Sequence, residues 1–419
     1  MSSKKRKTRK KSTPQKKKCI STRALIIIIA AVLLVAAAIT VTVILVNKNK
    51  NATEGWQQIT ATDVDESISK LFIFEYDVTD KNEIAEISRV YSDALKRAYA
   101  IFSTEGIDDD TADASIVGLS SLNLSAGVPI SVSEELYRAL ELVKIDRTRT
   151  VFLGPVYERY RNVFSSISPS SAVAIDPTKN EYEARVCESI ISFAGDGNSI
   201  YYDLTLDNTV VLQISAEYHG LLDDIGTHNY LDFGWMRDAF IVDTIADTLT
   251  REGYTNGTVS SYSGFTRNLD TDAEEYTFGL YDLFRNSVYL AASVSYTGAI
   301  STVTYKTFAM NSIDKKFLYE YSNGDVTHGY IDRSTGQPVN ASDMMVFHSK
   351  TKSCAEIAVE TAHCFITEEE DKSDIEALIA AGIGAIWCDG TIINYTSDDV
   401  KIFDLFSSDS LNIHYSTTK

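Results

Sequence analysis

The sequence predicts an α+β fold set behind an N-terminal membrane anchor. Three observations carry this. Runs with two-residue apolar alternation are interspersed with runs of three- and four-residue spacing, and no segment repeats another. The stretch Leu231–Gly264 reads as an extended segment, a glycine turn, a helix, a glycine stop and a strand in direct succession. Residues 1–23 hold eleven Lys/Arg and no acid, and the run Ala24–Val46 that follows carries no charge.

Ala24–Val46 has only Thr40 and Thr42 as polar members. At about 1.5 Å per residue it spans roughly 35 Å, enough for a hydrocarbon core of about 30 Å. A cleaved signal core is usually only about 7–15 residues. This run is longer and continues into Asn47-Lys48-Asn49-Lys50, so it is expected to stay as an anchor. The basic tail then lies in the cytoplasm and the main domain outside. The expected organisation is a basic tail (1–23), a transmembrane helix (24–46), a linker (47–56) and an extracytoplasmic domain (57–412) large enough for two lobes. Beyond the tail, 28 basic side chains face 58 acidic ones, a net of -30. That balance argues against nucleic acid as a partner, because a polyanion is repelled. Cys187, Cys354, Cys364 and Cys388 form no C-x-x-C pair and are too few for a disulfide framework, so they read as small buried side chains.

In order, Leu71–Val78 places Phe72, Phe74, Tyr76 and Val78 on one face of a strand. Ile84, Ile87, Tyr91, Ala94 and Ala98 mark the helix after it. The acidic loop from Gly106 to Asp113 lacks the spacing of a calcium loop and reads as solvated. Ser133 caps a helix from Glu134 to Val143. Val151–Phe164 is a Tyr-rich helix entered through Gly154-Pro155, and Cys187 lies in a helix ending at Gly195. Ile200–Leu206 and Val210–Ser215 form a hairpin around Asp207-Asn208. Thr277–Asp282, Ser287–Tyr296 and Ile300–Met310 are strand-like. The last helix is Cys354–Phe365. Ile375–Ala381 and a hairpin Ala385–Tyr395, turning at Asp389-Gly390, close the domain.

Within the central run, Leu231–Phe233 is expected to be extended and Gly234 to permit a turn. Ala239, Val242, Ala246 and Leu249 give the helix its apolar face, Asp238 suits its positive end, and Gly253 caps it. Such a turn is either an ordinary connection or a phosphate site at a helix N-terminus. The run resembles the signature of the ApbE family, the FAD:protein FMN transferases, whose pattern is LDLGGIAKGYAVD. Leu231, Asp232, Gly234, Val242 and Asp243 match, with Gly264 in the glycine-bearing strand that follows. The family's second glycine is Trp235 here, its lysine Asp238 and its next glycine Ala239. Leu122-Asn123, Gly127 and Val132–Leu136 resemble the family's N-terminal region. Thr327–Pro338 resembles its HHIIDPRTGRP motif through His328, Ile331, Asp332, Thr335, Gly336 and Pro338, with Gly329 in place of the second histidine. The family's usual Thr-Ser-Gly triplet is missing between Tyr296 and Asn311.

The resemblance implies an ApbE-type flavin-transferase fold, two-lobed with mixed sheets and flanking helices. It implies FAD as substrate, Mg²⁺, and transfer of FMN to a Ser or Thr of an acceptor protein. Asp232, Gly234, Asp238, Asp243, Gly264, His328 and Asp332 are the implied nucleotide-binding residues. Glu356 and Glu360 fall where the family's metal-binding Asp and Thr stand, with the backbone carbonyl of Arg237 as third ligand. At i and i+4 they share one helix face, so they are either a hard-cation site or a solvated acidic face. A carboxylate at Asp238 is expected to oppose a pyrophosphate that the family's lysine would attract. Two readings follow: an extracytoplasmic FMN transferase, or a descendant that binds a ligand or partner at the cell surface without transfer.

Overall fold

The computed structural model describes residues 55–105, 116–270, 274–369 and 372–419. The expected anchor, the basic tail and the acidic loop 106–113 lie outside them. Among the described residues no helix is long and apolar enough to cross a membrane.

The elements that build the core are, in chain order, β1 (Gly55–Ile59), β2 (Phe72–Val78), α1 (Ile84–Phe102), α2 (Gly154–Phe164), α3 (Glu181–Ala194), α4 (Arg237–Arg251), β3 (Gly257–Ser261), β4 (Phe265–Asn268), β5 (Glu275–Phe284), β6 (Ser287–Thr297), β7 (Ser301–Lys306), β8 (Met344–Ser349), α5 (Cys354–Phe365), β9 (Gly384–Asp389), β10 (Ile392–Tyr395), β11 (Val400–Phe403) and β12 (Ser416–Thr418). Nine of these strands form one sheet in the order β1-β2-β3-β4-β7-β8-β9-β10-β12. Every neighbouring pair is antiparallel except β10–β12. A second sheet has the order β11-β6-β5.

Side-chain parity explains the layering. All six residues of β8 are buried. Met345 and Phe347 join the core that includes α1, α4 and α5, whereas Met344 and Val346 join a second core with β5 and β6. A strand buried on both faces cannot alternate polar and apolar residues, which is why Met344–Phe347 is a continuous apolar run. On β2 the alternation is clean: Phe72, Phe74, Tyr76 and Val78 face the helices. Phe74 meets Tyr91 of α1 at 5.3 Å, and Phe102 meets Phe240 of α4 at 5.5 Å. Each such fully buried ring contributes about 1.5–3 kcal/mol.

Residues 119–225 add a mainly helical arm with a small sheet of Ile130–Ser131, Ile200–Thr205 and Thr209–Ile214. Buried hydrogen bonds tie this arm to the later chain. Tyr160 Oη donates to the Gly336 carbonyl at 2.9 Å, and Asp176 accepts from Tyr321 at 2.7 Å and Thr327 at 2.6 Å.

Four expectations change. Leu231–Phe233 is not a strand, because its polar backbone groups are met elsewhere. The Asn123 side chain accepts from Leu231 N and donates to its carbonyl, both at 2.9 Å, and Asp232 N donates to Val151 O. A further helix, Lys372–Ala380, follows α5. The strand β1 begins inside the expected linker, and β12 lies beyond the expected end at 412, where it pairs with β10.

His348 on β8 is 1% exposed, and neither ring nitrogen has a partner among the described residues. Burial holds its pKa down at about 4. The folded state therefore refuses a proton that the unfolded chain accepts below about 6.5, so stability is constant above that pH and falls towards 4. His348→Leu is expected to lessen the loss of stability between pH 7 and 5 by about 2 kcal/mol, measured by urea unfolding of the full chain. An unchanged pH profile would show that His348 takes up its proton when folded.

Candidate functional site

The Gly234 turn is held from both sides. Asp232, 2% exposed, accepts from Gly234 N at 2.7 Å and from Arg161 of α2 at 2.6 Å. Gly234 sits at φ +57°, and a Cβ there would lie 2.4 Å from the Tyr157 ring, so glycine is required twice over. Its continuation, Trp235-Met236, is a tight 3-10 turn leading into α4.

At the start of α4, the partly buried Arg237 pairs with the buried Asp238. Asp238 accepts from Arg237 Nε at 3.0 Å and lies 2.9 Å from Nη2. Its other oxygen accepts from Ser263 Oγ at 2.7 Å. Burial works against the Arg237 charge, but the carboxylates of Asp238 and Asp232 and the Tyr99 hydroxyl outweigh it, and the pKa lies above the ordinary arginine value. The guanidinium also stands 5.3 Å from the Tyr99 ring centroid. The expected opposition between Asp238 and a pyrophosphate is thus largely cancelled: the carboxylate neutralises Arg237.

Trp235 packs among rings. Its centroid lies 5.2 Å from Tyr305, 5.6 Å from Tyr330 and 6.5 Å from Phe265. Tyr305 in turn stacks on Phe365 of α5 at 4.8 Å and shares a hydrogen bond with Thr361 at 2.8 Å. The buried indole N–H has no acceptor among the described residues. An unmet buried donor costs about 1–3 kcal/mol.

These groups line a cleft of about 650 Å³, inside the roughly 300–1,000 Å³ range of small-molecule sites. Tyr99, Tyr157, Trp235, Phe317 and Tyr330 supply rings, and Gly234, Ser263 and Gly329 supply narrow positions. Five cationic side chains, Arg161, Arg237, Lys306, Lys315 and Lys316, stand against three acidic ones, Glu105, Glu158 and Asp314. Asp232 and Asp238 pair with Arg161 and Arg237 from behind the lining, so the charges balance, with each of these cations and Lys306 more exposed than the carboxylate it pairs with. Lys306 pairs with the buried Asp314 at 2.8 Å, and Lys316 donates to the Ser67 carbonyl at 3.3 Å. Sequence reasoning missed Arg161 and the lysines. The signal available was Lys315-Lys316, a basic doublet in an acidic stretch.

Of the residues expected to bind nucleotide, the cleft gathers Gly234, with Asp232 and Asp238 bonded to its lining. Asp243 serves elsewhere: it accepts from Arg267 at 2.9 Å and from Cys354 N and Ala355 N at 3.0 and 2.7 Å, fixing the start of α5. Gly264 lets β7 approach. Its φ is +104°, and a Cβ would sit 2.2 Å from Thr304 O. His328 is turned into the core. Its Nδ1 accepts from Tyr330 N at 3.3 Å, so Nε2 carries the hydrogen towards Asn340 at 3.1 Å. Burial keeps it neutral, with a pKa of about 4. Gly329, in the position of the second histidine, is the one that lines the cleft. Asp332 folds back on Ser334 and Thr335 of its own turn.

Glu356 and Glu360 are engaged separately. Glu356 accepts from Ser353 N at 2.8 Å in a capping box, and Glu360 pairs with Lys352 at 2.8 Å. Neither is among the residues lining the cleft. One carboxylate caps its helix and the other is neutralised by an ammonium, so this donor set does not fit Mg²⁺. Among the described residues no group of three or more His, Cys, Asp or Glu could hold a metal ion.

No family profile matches the chain, and no curated protein matches it. Solved structures do. The ApbE protein of Thermotoga maritima superposes with a TM-score of 0.54 at 12% identity, over 79% of this chain and 94% of that one. The flavin transferase ApbE of Vibrio cholerae gives 0.50 at 15% identity, over 84% and 97%. The fold is therefore that of ApbE flavin transferases, in a divergent form.

Removing the Asp238 charge leaves the partly buried Arg237 without its counter-ion. Asp238→Asn is expected to destabilise the protein by about 3 kcal/mol, and Asp238→Lys to prevent folding. Urea unfolding and the yield of folded protein measure this. A stable Lys variant would mean that Arg237 swings out to solvent.

Proposed function

We propose that the protein binds a flavin nucleotide of the FAD type in this cleft, at the outer face of a membrane to which residues 24–46 anchor it. The carrying observation is the lining: aromatic rings beside five cations, three of which stand more exposed than the buried carboxylates they pair with. Rings accept a planar heterocycle, and the cations offset phosphate charge. Its likeness in fold to proteins named as flavin transferases supports the same class of ligand.

Transfer of FMN to an acceptor protein is the second reading, favoured by that likeness in fold. The geometry supports binding without transfer better. Gly329 puts no imidazole on the cleft wall, His328 is buried and neutral, and the glutamates of α5 do not form a divalent-cation site.

Full-length protein in detergent, titrated with FAD, is expected to quench flavin fluorescence saturably and to release no AMP with Mg²⁺ present. Reversing one mouth charge, Lys316→Glu, is expected to weaken FAD roughly three- to tenfold at low salt and less at high salt. AMP release together with protein-linked flavin would establish the transfer reading, and no quenching would remove both.

For the anchor, protease added to intact cells is expected to digest the chain beyond about residue 47 and leave the basic tail. Protection of the large domain would reverse the topology.

A further inference from the structure

We propose that Trp235 selects the ring system of the ligand, by stacking its indole on the isoalloxazine of a flavin. This rests on the flavin-nucleotide reading of the cleft. Trp235 follows the Gly234 turn directly, and its backbone is fixed by the Asp232 clamp and the 3-10 turn. Trp235 lines the cleft, and its indole is backed by Phe265, Tyr305 and Tyr330. Core packing alone does not call for an indole at this point. Leucine or phenylalanine would bury against the same three rings without stranding an N–H that has no acceptor among the described residues. Of the cleft rings, Tyr99 already carries the Arg237 guanidinium. The wide electron-rich surface of Trp235 is the better match for a broad, electron-poor tricycle.

The test uses full-length protein in detergent, with riboflavin, FMN, FAD and AMP as probes. Trp235→Leu is expected to weaken riboflavin, FMN and FAD alike by about tenfold or more, the scale of a lost ring stack, and to leave AMP unchanged. Trp235→Phe keeps a ring and is expected to stay within about threefold of the wild type. A long-wavelength charge-transfer shoulder in the spectrum of bound FMN is expected for the wild type and not for Trp235→Phe. That signature carries the test if Trp235→Leu does not fold, and its absence from FMN-saturated wild type would then overturn the proposal. Equal flavin affinity in wild type and Trp235→Leu would remove the role of Trp235 while leaving the flavin cleft in place. Equal losses in the Phe and Leu variants would overturn stacking, and a loss confined to FAD and AMP would move the contact to adenine. A wild type that binds no flavin would end both this proposal and the reading it rests on.

Discussion

The carboxylate of Asp232 joins two walls of the cleft. One oxygen holds the Gly234 N–H and the other holds Arg161 of α2, so the turn before α4 and the helical arm are locked to each other. Gly234 must be a glycine for this, because the Tyr157 ring from the same helix occupies the space of a side chain. The start of α4, the direction of Trp235 and the placement of Arg237 all follow from that lock. A buried carboxylate is tolerated there because its acceptor oxygens are met by an N–H and a guanidinium.

The same device recurs at the cleft, where Asp238 is met by Arg237 and Ser263 and Asp314 by Lys306, and away from it, where Asp243 is met by Arg267 and the first N–H groups of α5. The acidic composition is therefore no measure of the potential a ligand meets. In each pair lining the cleft the carboxylate lies deeper than its cation: Asp232 is 2% exposed against 34% for the Arg161 side chain. Lys315 and Lys316 add charge at the mouth. An anion approaching the cleft meets the cations at shorter range than the carboxylates paired behind them, and the nearer charge acts more strongly.

Much of the fold was legible in the sequence. The alternation Phe72, Phe74, Tyr76, Val78 gave β2 and its inward face, the spacing from Ile84 to Ala98 gave α1, and Cys354–Phe365 matches α5 in full. Leu231–Phe233 misled because two apolar residues flanking Asp232 alternate as in a strand, whether a strand or the Asn123 side chain meets the backbone. The candidate site was legible in part. Gly234 was marked by the turn, Asp238 by its place in the first turn of the helix, and Asp232 by the resemblance to the family pattern. Lys306 and Arg161 were not, since they lie far away in sequence and nothing local marks them.

The sequence by itself determined most of the elements and their order, the glycine turn, the inward face of β2 and the strong charge asymmetry between tail and domain. These depend on periodicity and local backbone preference, which near neighbours in the chain decide. Tertiary structure alone decided what each polar side chain does. Glu356 and Glu360 share a helix face, yet Ser353 and Lys352 claim them separately. His328 and Gly329 are adjacent, yet one enters the core and the other lines the cleft. Hydrogen bonds and ion pairs act within about 3–4 Å, and only the packed chain settles which distant residue arrives within that reach.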